Sequence, residues 1–190
     1  MRVSQNVAYD AVGHCYYLED GVEEHNRLEH NLAAHVHVLT APARASSHQF
    51  LDWVDASDGL ILPADVAASG FYVTNANNRL VGNAASGGWS GYSFPELRAP
   101  VKLHRHLEGS VTPSARPLLE FAGNSAHSAG FWWFNAGLVY FGGKLEHAQA
   151  VGTTPAPIDA ATGEPRLRYN PGRAWGGPTR RPLPFCARAC

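Results

Sequence analysis

The chain has 190 residues, of which 45% are hydrophobic and 16% charged, and its formal net charge is -1. That is enough length and apolar content for one domain with a real core. The near-balance of charge excludes the strongly basic surface a nucleic-acid-binding protein needs. No apolar run approaches the roughly 18 residues of a membrane-spanning helix, and the opening MRVSQNVAYD lacks the apolar stretch of a secretory signal.

In chain order, residues 1–40 hold two strand-like stretches, GHCYYLED and LAAHVHVL. The alternation in the second puts His35 and His37 on one strand face. Asp20-Gly21 between the two reads as a tight turn. Residues 41–70 read as a loop insertion, with a short helix over 47–54 capped by Ser46 or Ser47. The best-patterned segment is FYVTNANNRLVGNAASGGWSGYSF, residues 71–94. It gives a strand at Phe71, a bend crowded by Asn75, Asn77 and Asn78, a short strand at Leu80 and a second bend at Gly82-Asn83. Asn suits such corners because it tolerates left-handed backbone and bonds its own main chain.

The Pro-flanked stretch 95–117 carries Lys102, His104, Arg105 and His106 and reads as a protruding loop; strand patterning returns over 118–147. Beyond Gly152 the chain is rich in Pro, Ala, Gly and Arg, so an irregular, poorly ordered tail is expected. Cys15 sits in an apolar run as a buried free thiol, whereas Cys186 and Cys190 lie in the tail without further zinc-ligand partners.

One phrase recurs: NVAYDAVGHCYY from Asn6, NAASGGWSGYSF from Asn83 and NSAHSAGFWWF from Asn124. Each begins with Asn, passes through small residues and Gly, and ends in aromatics. A repeated strand-turn phrase marks a chain that coils on itself, one rung stacking on the next, and Asn at one corner of successive rungs can form an amide ladder.

The segments GHCYYLEDGVEEHNRLEHNLA, FYVTNANNRLVGNAASG and FAGNSAHSAGFWWFNAG, in that order, resemble the β-helix region of the family that includes cell migration-inducing and hyaluronan-binding protein and the cell-surface hyaluronidase, with fibrocystin-like proteins more distant. The shared phrases are Gly13 to Cys15 before aromatics, the turn Glu19 to Gly21, Asn75 to Asn78, and Asn124 to His127. The resemblance implies an all-β, right-handed parallel β-helix of the pectin-lyase kind. It would occupy residues 1–150, interrupted by the 41–70 loop insertion and followed by the 151–190 tail. It also implies an extracellular or cell-surface setting and an acidic polysaccharide partner such as hyaluronan. The eight-glycine domain that family members carry upstream is absent from this sequence.

Two functional readings follow: a polysaccharide-interacting module, with glycosidic cleavage if it is an enzyme, or a non-catalytic structural or interaction module, including a truncated fragment without activity of its own. For catalysis the candidates are His14, Glu19 and Asp20. Glycoside hydrolysis uses two carboxylates about 5–10 Å apart. Glu19 and Asp20, being neighbours, would point to opposite strand faces, so a partner from another rung would be needed. For substrate contact the candidates are Trp89, Tyr92, His127 and Trp132, since exposed aromatic faces stack on sugar rings. Lys102, Arg105 and the tail arginines would suit uronate carboxylates. The pair His35 and His37 lacks a third ligand at a recognisable spacing, so no metal site is expected. No cofactor is expected either, with calcium at Glu19, Asp20 and backbone oxygens as the remaining option.

Overall fold

The computed structural model describes residues 1–37, 68–129, 138–147, 158 and 167–174. The helix expected over 47–54, Trp132, Cys186 and Cys190 lie outside the described residues.

Among the described residues thirteen short strands follow one another: β1 (Arg2–Ser4), β2 (Val7–Tyr9), β3 (His14–Leu18), β4 (Arg27–Glu29), β5 (Leu32–Val36), β6 (Ser69–Val73), β7 (Arg79–Val81), β8 (Ala84–Gly87), β9 (Ser90–Glu96), β10 (Glu120–Ala122), β11 (Ser125–His127), β12 (Val139–His147) and β13 (Leu167–Ala174). Every third strand pairs, in parallel. The first sheet runs β1-β4-β7-β10, the second β2-β5-β8-β11, and the third β3-β6-β9-β12, with β13 added antiparallel to β12. Three strands therefore make one turn of a coil, and the described residues stack four turns. This is the parallel β-helix the repeated phrase predicts. The tail contributes β13, a strand where an irregular segment is expected.

The corner between the first and second sheets explains the recurring Asn. Asn6, Asn83 and Asn124 sit there in rungs 1, 3 and 4, and Asn31 fills rung 2. The side-chain amide of Asn6 donates to Asn31 Oδ1 at 3.3 Å, Asn31 to Asn83 Oδ1 at 3.0 Å, and Asn83 to Asn124 Oδ1 at 3.0 Å. The same three oxygens accept the main-chain N–H of the Asn one rung earlier, at 3.1, 3.0 and 2.9 Å. Asn31 and Asn83 are buried, so each otherwise costly polar group is paired. The residue before each Asn is left-handed: Gln5, His30, Gly82 and Gly123 have φ of 59°, 53°, 64° and 63°.

The interior is built of stacked files. Leu28, Leu80 and Phe121 line the first sheet, and Ala33, Ala85 and Ala126 line the second. The third carries Tyr16, Phe71, Tyr92 and Val139 in one file and Leu18, Val73, Phe94 and Phe141 in another. Ring centroids are 4.6 Å apart for Tyr16 and Phe71, 4.9 Å for Phe71 and Tyr92, and 4.4 Å for Phe94 and Phe141. These match the ~4.8 Å spacing of paired strands, so like side chains stack face to face. Where the second and third sheets converge, only small residues fit. A Cβ on Gly91 would lie 2.5 Å from Ala126 Cβ, and one on Gly70 2.9 Å from Ala85 Cβ.

Candidate functional site

Cys15 and Tyr16 both pack toward the interior, which breaks strict alternation and turns His14 and Tyr17 outward. The outer face of the third sheet thus carries His14, Ser69 and Ser90 in one file and Tyr17, Tyr72, Ser93 and Tyr140 in the next. The His14 ring lies 4.2 Å from that of Tyr72 and 5.0 Å from that of Tyr17, and the two tyrosines are 5.3 Å apart. The Ser69 main-chain N–H donates to His14 Nδ1 at 3.1 Å. That bond needs a lone pair on Nδ1, so it selects the neutral imidazole with its proton on Nε2. Tyr17 donates its hydroxyl proton to Glu19 Oε1 at 2.6 Å. Burial, then the neighbouring Tyr72 and Glu19, pushes the Tyr17 phenol up; burial and then Glu19 does the same to Tyr72. Both phenols are neutral hydrogen-bond groups, not bases. Tyr72 Oη and Ser93 Oγ, both buried, have no hydrogen-bond partner among the described residues.

At the end of this face the turn after β3 meets the excursion between β9 and β10, which carries two short 3-10 helices over Lys102–Leu107 and Pro113–Ala115. The turn is held from within by Glu23, whose carboxylate accepts the main-chain N–H groups of Glu19, Asp20 and Gly21 at 3.2, 3.0 and 2.9 Å. Gly21 has φ of +84° and lies so close to the excursion that a Cβ would be 2.6 Å from Pro113 Cγ. The excursion brings one base to each remaining acid. Lys102 Nζ pairs with Glu19 Oε1, His104 Nδ1 with Asp20 Oδ2 at 2.7 Å, and Arg116 Nε with Glu24 Oε1 at 2.7 Å.

His14 and Glu19 therefore belong to one site, joined through Tyr17, and Asp20 lies beside them in the ion-paired turn. Glu19 and Asp20 do not face each other across a gap. Lys102, expected as a free cation for uronates, is paired with Glu19. Tyr92 is a core residue: it is fully buried in the aromatic file, and its hydroxyl donates inward to Asn83 O at 2.9 Å. A substrate-contact role for Tyr92 is thereby corrected. Trp89 is 2% exposed and packs edge-on against Tyr140 at 4.5 Å. His127 is exposed on β11 in the second sheet and bonds Ser128 Oγ, so it and His14 stand on different sheets. Sequence reasoning did not single out Tyr17 or Tyr72, the two rings packed on His14. Their signal was the aromatic pair in GHCYYLED and FYV, recurring at matched positions of two rungs.

A family model described as CEMIP beta-helix matches residues 1–136. The chain belongs to this family. Among curated relatives, protein rliB of Dictyostelium discoideum is 47% identical over 145 residues, covering 76% of this chain. A G8 domain-containing protein of the same organism is 51% identical over 146 residues, covering 77% of this chain. Human Fibrocystin-L is 29% identical over 165 residues, covering 83% of this chain. The chain spans only 13%, 10% and 3% of the lengths of these three relatives. The matched region is thus the β-helix module of much longer proteins. No described helix is long and apolar enough to cross a membrane.

Proposed function

We propose that this CEMIP-type β-helix is a polysaccharide-interacting module. It would contact an acidic glycan such as hyaluronan, in an extracellular or cell-surface setting, at the end of the third sheet's outer face, by Tyr17, stacked on His14, and the Glu19–Lys102 pair. The observation that carries this reading is the convergence, where the turn after β3 meets the excursion, of the half-buried Tyr17 ring, stacked on His14, with a carboxylate–lysine pair. Aromatic rings stack on sugar faces. Lys102 can exchange the Glu19 carboxylate for a uronate of the same charge.

The geometry favours binding without cleavage. Glycosidic hydrolysis asks for two carboxyls facing each other over about 5–10 Å, whereas Glu19 and Asp20 are adjacent and each already engages a base. Titration of the full chain with hyaluronan oligosaccharides, alongside a gel assay of polymer length, tests both parts. Saturable binding, weakened at least fivefold in K102A and in H14A with polymer length unchanged, is the expected result. Absence of glycan binding at low salt would sink the module reading. Chain shortening that disappears in E19Q would replace it with the glycosidase reading.

A further inference from the structure

The pair His35 and His37 finds its third ligand in a different rung. Asp10 follows β2, and stacking of rung 1 on rung 2 sets its carboxylate against both imidazoles: Asp10 Oδ1 lies 3.2 Å from His35 Nδ1 and 2.8 Å from His37 Nε2. The three ligand atoms all lie within 4.8 Å of one another. We propose that Asp10, His35 and His37 form a zinc-type divalent metal site on the flank of the coil, distinct from the face of the third sheet.

Four features support it. First, the ligand spacings suit the ion. Zinc bound at about 2.0–2.1 Å in tetrahedral geometry sets its ligands roughly 3.3 Å apart, so the observed separations close on an ion with small side-chain movements. Second, the backbone of Asp10 and His37 is held before any metal arrives. The Asp10 N–H donates to Ala34 O at 3.1 Å, the His37 N–H to Ala11 O at 3.0 Å, and the Gly13 N–H to His37 O at 2.8 Å. Third, the rings are constrained. His35 and His37 stack at 4.8 Å with 16° between their planes, and Tyr9 packs on His35 at 5.6 Å. Fourth, Asp10 and His35 both take a left-handed turn of the kind that Ser128 takes after β11, with φ of 59°, 55° and 55°, so the corner of the coil sets the direction of two of the ligands.

The donor set decides the ion class. Two imidazoles and one carboxylate suit zinc and its first-row neighbours; calcium and magnesium want a shell of oxygens. Asp10 and His35 are exposed and His37 half-buried, which leaves the fourth position open to water. Binding requires a lone pair on each ligating nitrogen, so metal competes with protons at the site.

The test is calorimetric titration of the full chain with Zn²⁺ and optical titration with Co²⁺, in a C186S/C190S background that removes the tail thiols. One ion per chain is expected, with a tetrahedral or five-coordinate Co²⁺ spectrum lacking thiolate charge transfer. Affinity should fall at least tenfold in D10N and in H37Q and stay unchanged in H106Q. All three side chains lie at the surface, and H37Q alters none of the left-handed positions, so it reads the site even where D10N perturbs the fold. Absence of binding, or affinity equal in wild type, D10N and H37Q, would overturn the proposal.

Discussion

Two edges of the coil solve the same turning problem in opposite ways. Between the first and second sheets every rung turns through a left-handed residue followed by Asn, and the four turns superimpose. Beyond the third sheet the described returns all differ: 19–26 after β3, 74–78 after β6 and 97–119 after β9. The uniform edge is sealed by amide-to-amide bonds that each rung offers the next. The variable edge is held by acid–base pairs between non-equivalent residues, and it borders the proposed glycan face. A repeating backbone needs one edge that never varies; the edge free to vary is where side chains of differing chemistry can be assembled.

Substitutions within the uniform edge should have the largest effect. Asn83 donates to Leu28 O at 2.8 Å and to Asn124 Oδ1, while its own oxygen accepts two bonds from Asn31. N83A leaves several of these partners buried and unpaired, at about 1–3 kcal/mol each before relaxation, so chemical denaturation should show a loss of about 3 kcal/mol or more. N6A, at an exposed position in rung 1, should cost no more than about 1 kcal/mol. Equal losses for the two would mean that the bonds do not act as a ladder.

Next comes the narrow interior. G91A forces a methyl against Ala126 and should cost about 1–3 kcal/mol, read by the same measurement. The double substitution G91A/A126G should recover most of it. At the variable edge, K102A and E19Q should each change stability by less than about 1 kcal/mol, because the Lys102 side chain is 38% exposed and screened by solvent. A double-mutant cycle on thermal unfolding checks this, and the same variants should separate strongly in glycan affinity.

The smallest effect is electrostatic. Glu29, buried beneath Arg2 and Arg27, is held below the usual carboxyl range first by the hydrogen bond from Arg27, with Arg2 adding to it. A depressed carboxyl favours the fold above its unfolded value of about 4.3. That contribution disappears as pH falls through the folded value. Melting temperatures of wild type and E29Q should differ at pH 7 and converge toward pH 3.

The coil was legible because its corner is written in one residue type. Three of the four corner asparagines were visible from their phrases. Asn31 was not, because the aromatics that close the other copies are missing from NLAAHVHV. In rung 2 they stand on β6, more than thirty residues further along. The site was less legible for two physical reasons. Alternation alone would turn His14 inward with Tyr16, and only the consecutive inward pair Cys15 and Tyr16 reverses it. Tyr92 looked like a surface aromatic because a strand's period does not say which face is closed. The pairing of Lys102 with Glu19, and of Asp10 with His35 and His37, joins residues 83, 25 and 27 positions apart, which only the stacking of turns brings together.

The asparagine corner also bears on how such a chain tolerates change. Each turn is brought back to a common origin at that corner, so errors of length made on the far side do not accumulate from one turn to the next. Segments as unequal as 74–78 and 97–119 are followed by β7 and β10, which nonetheless pair residue for residue, Leu80 opposite Phe121. A scaffold that re-zeroes itself once per revolution can accept grafts at its outer returns without renegotiating its core.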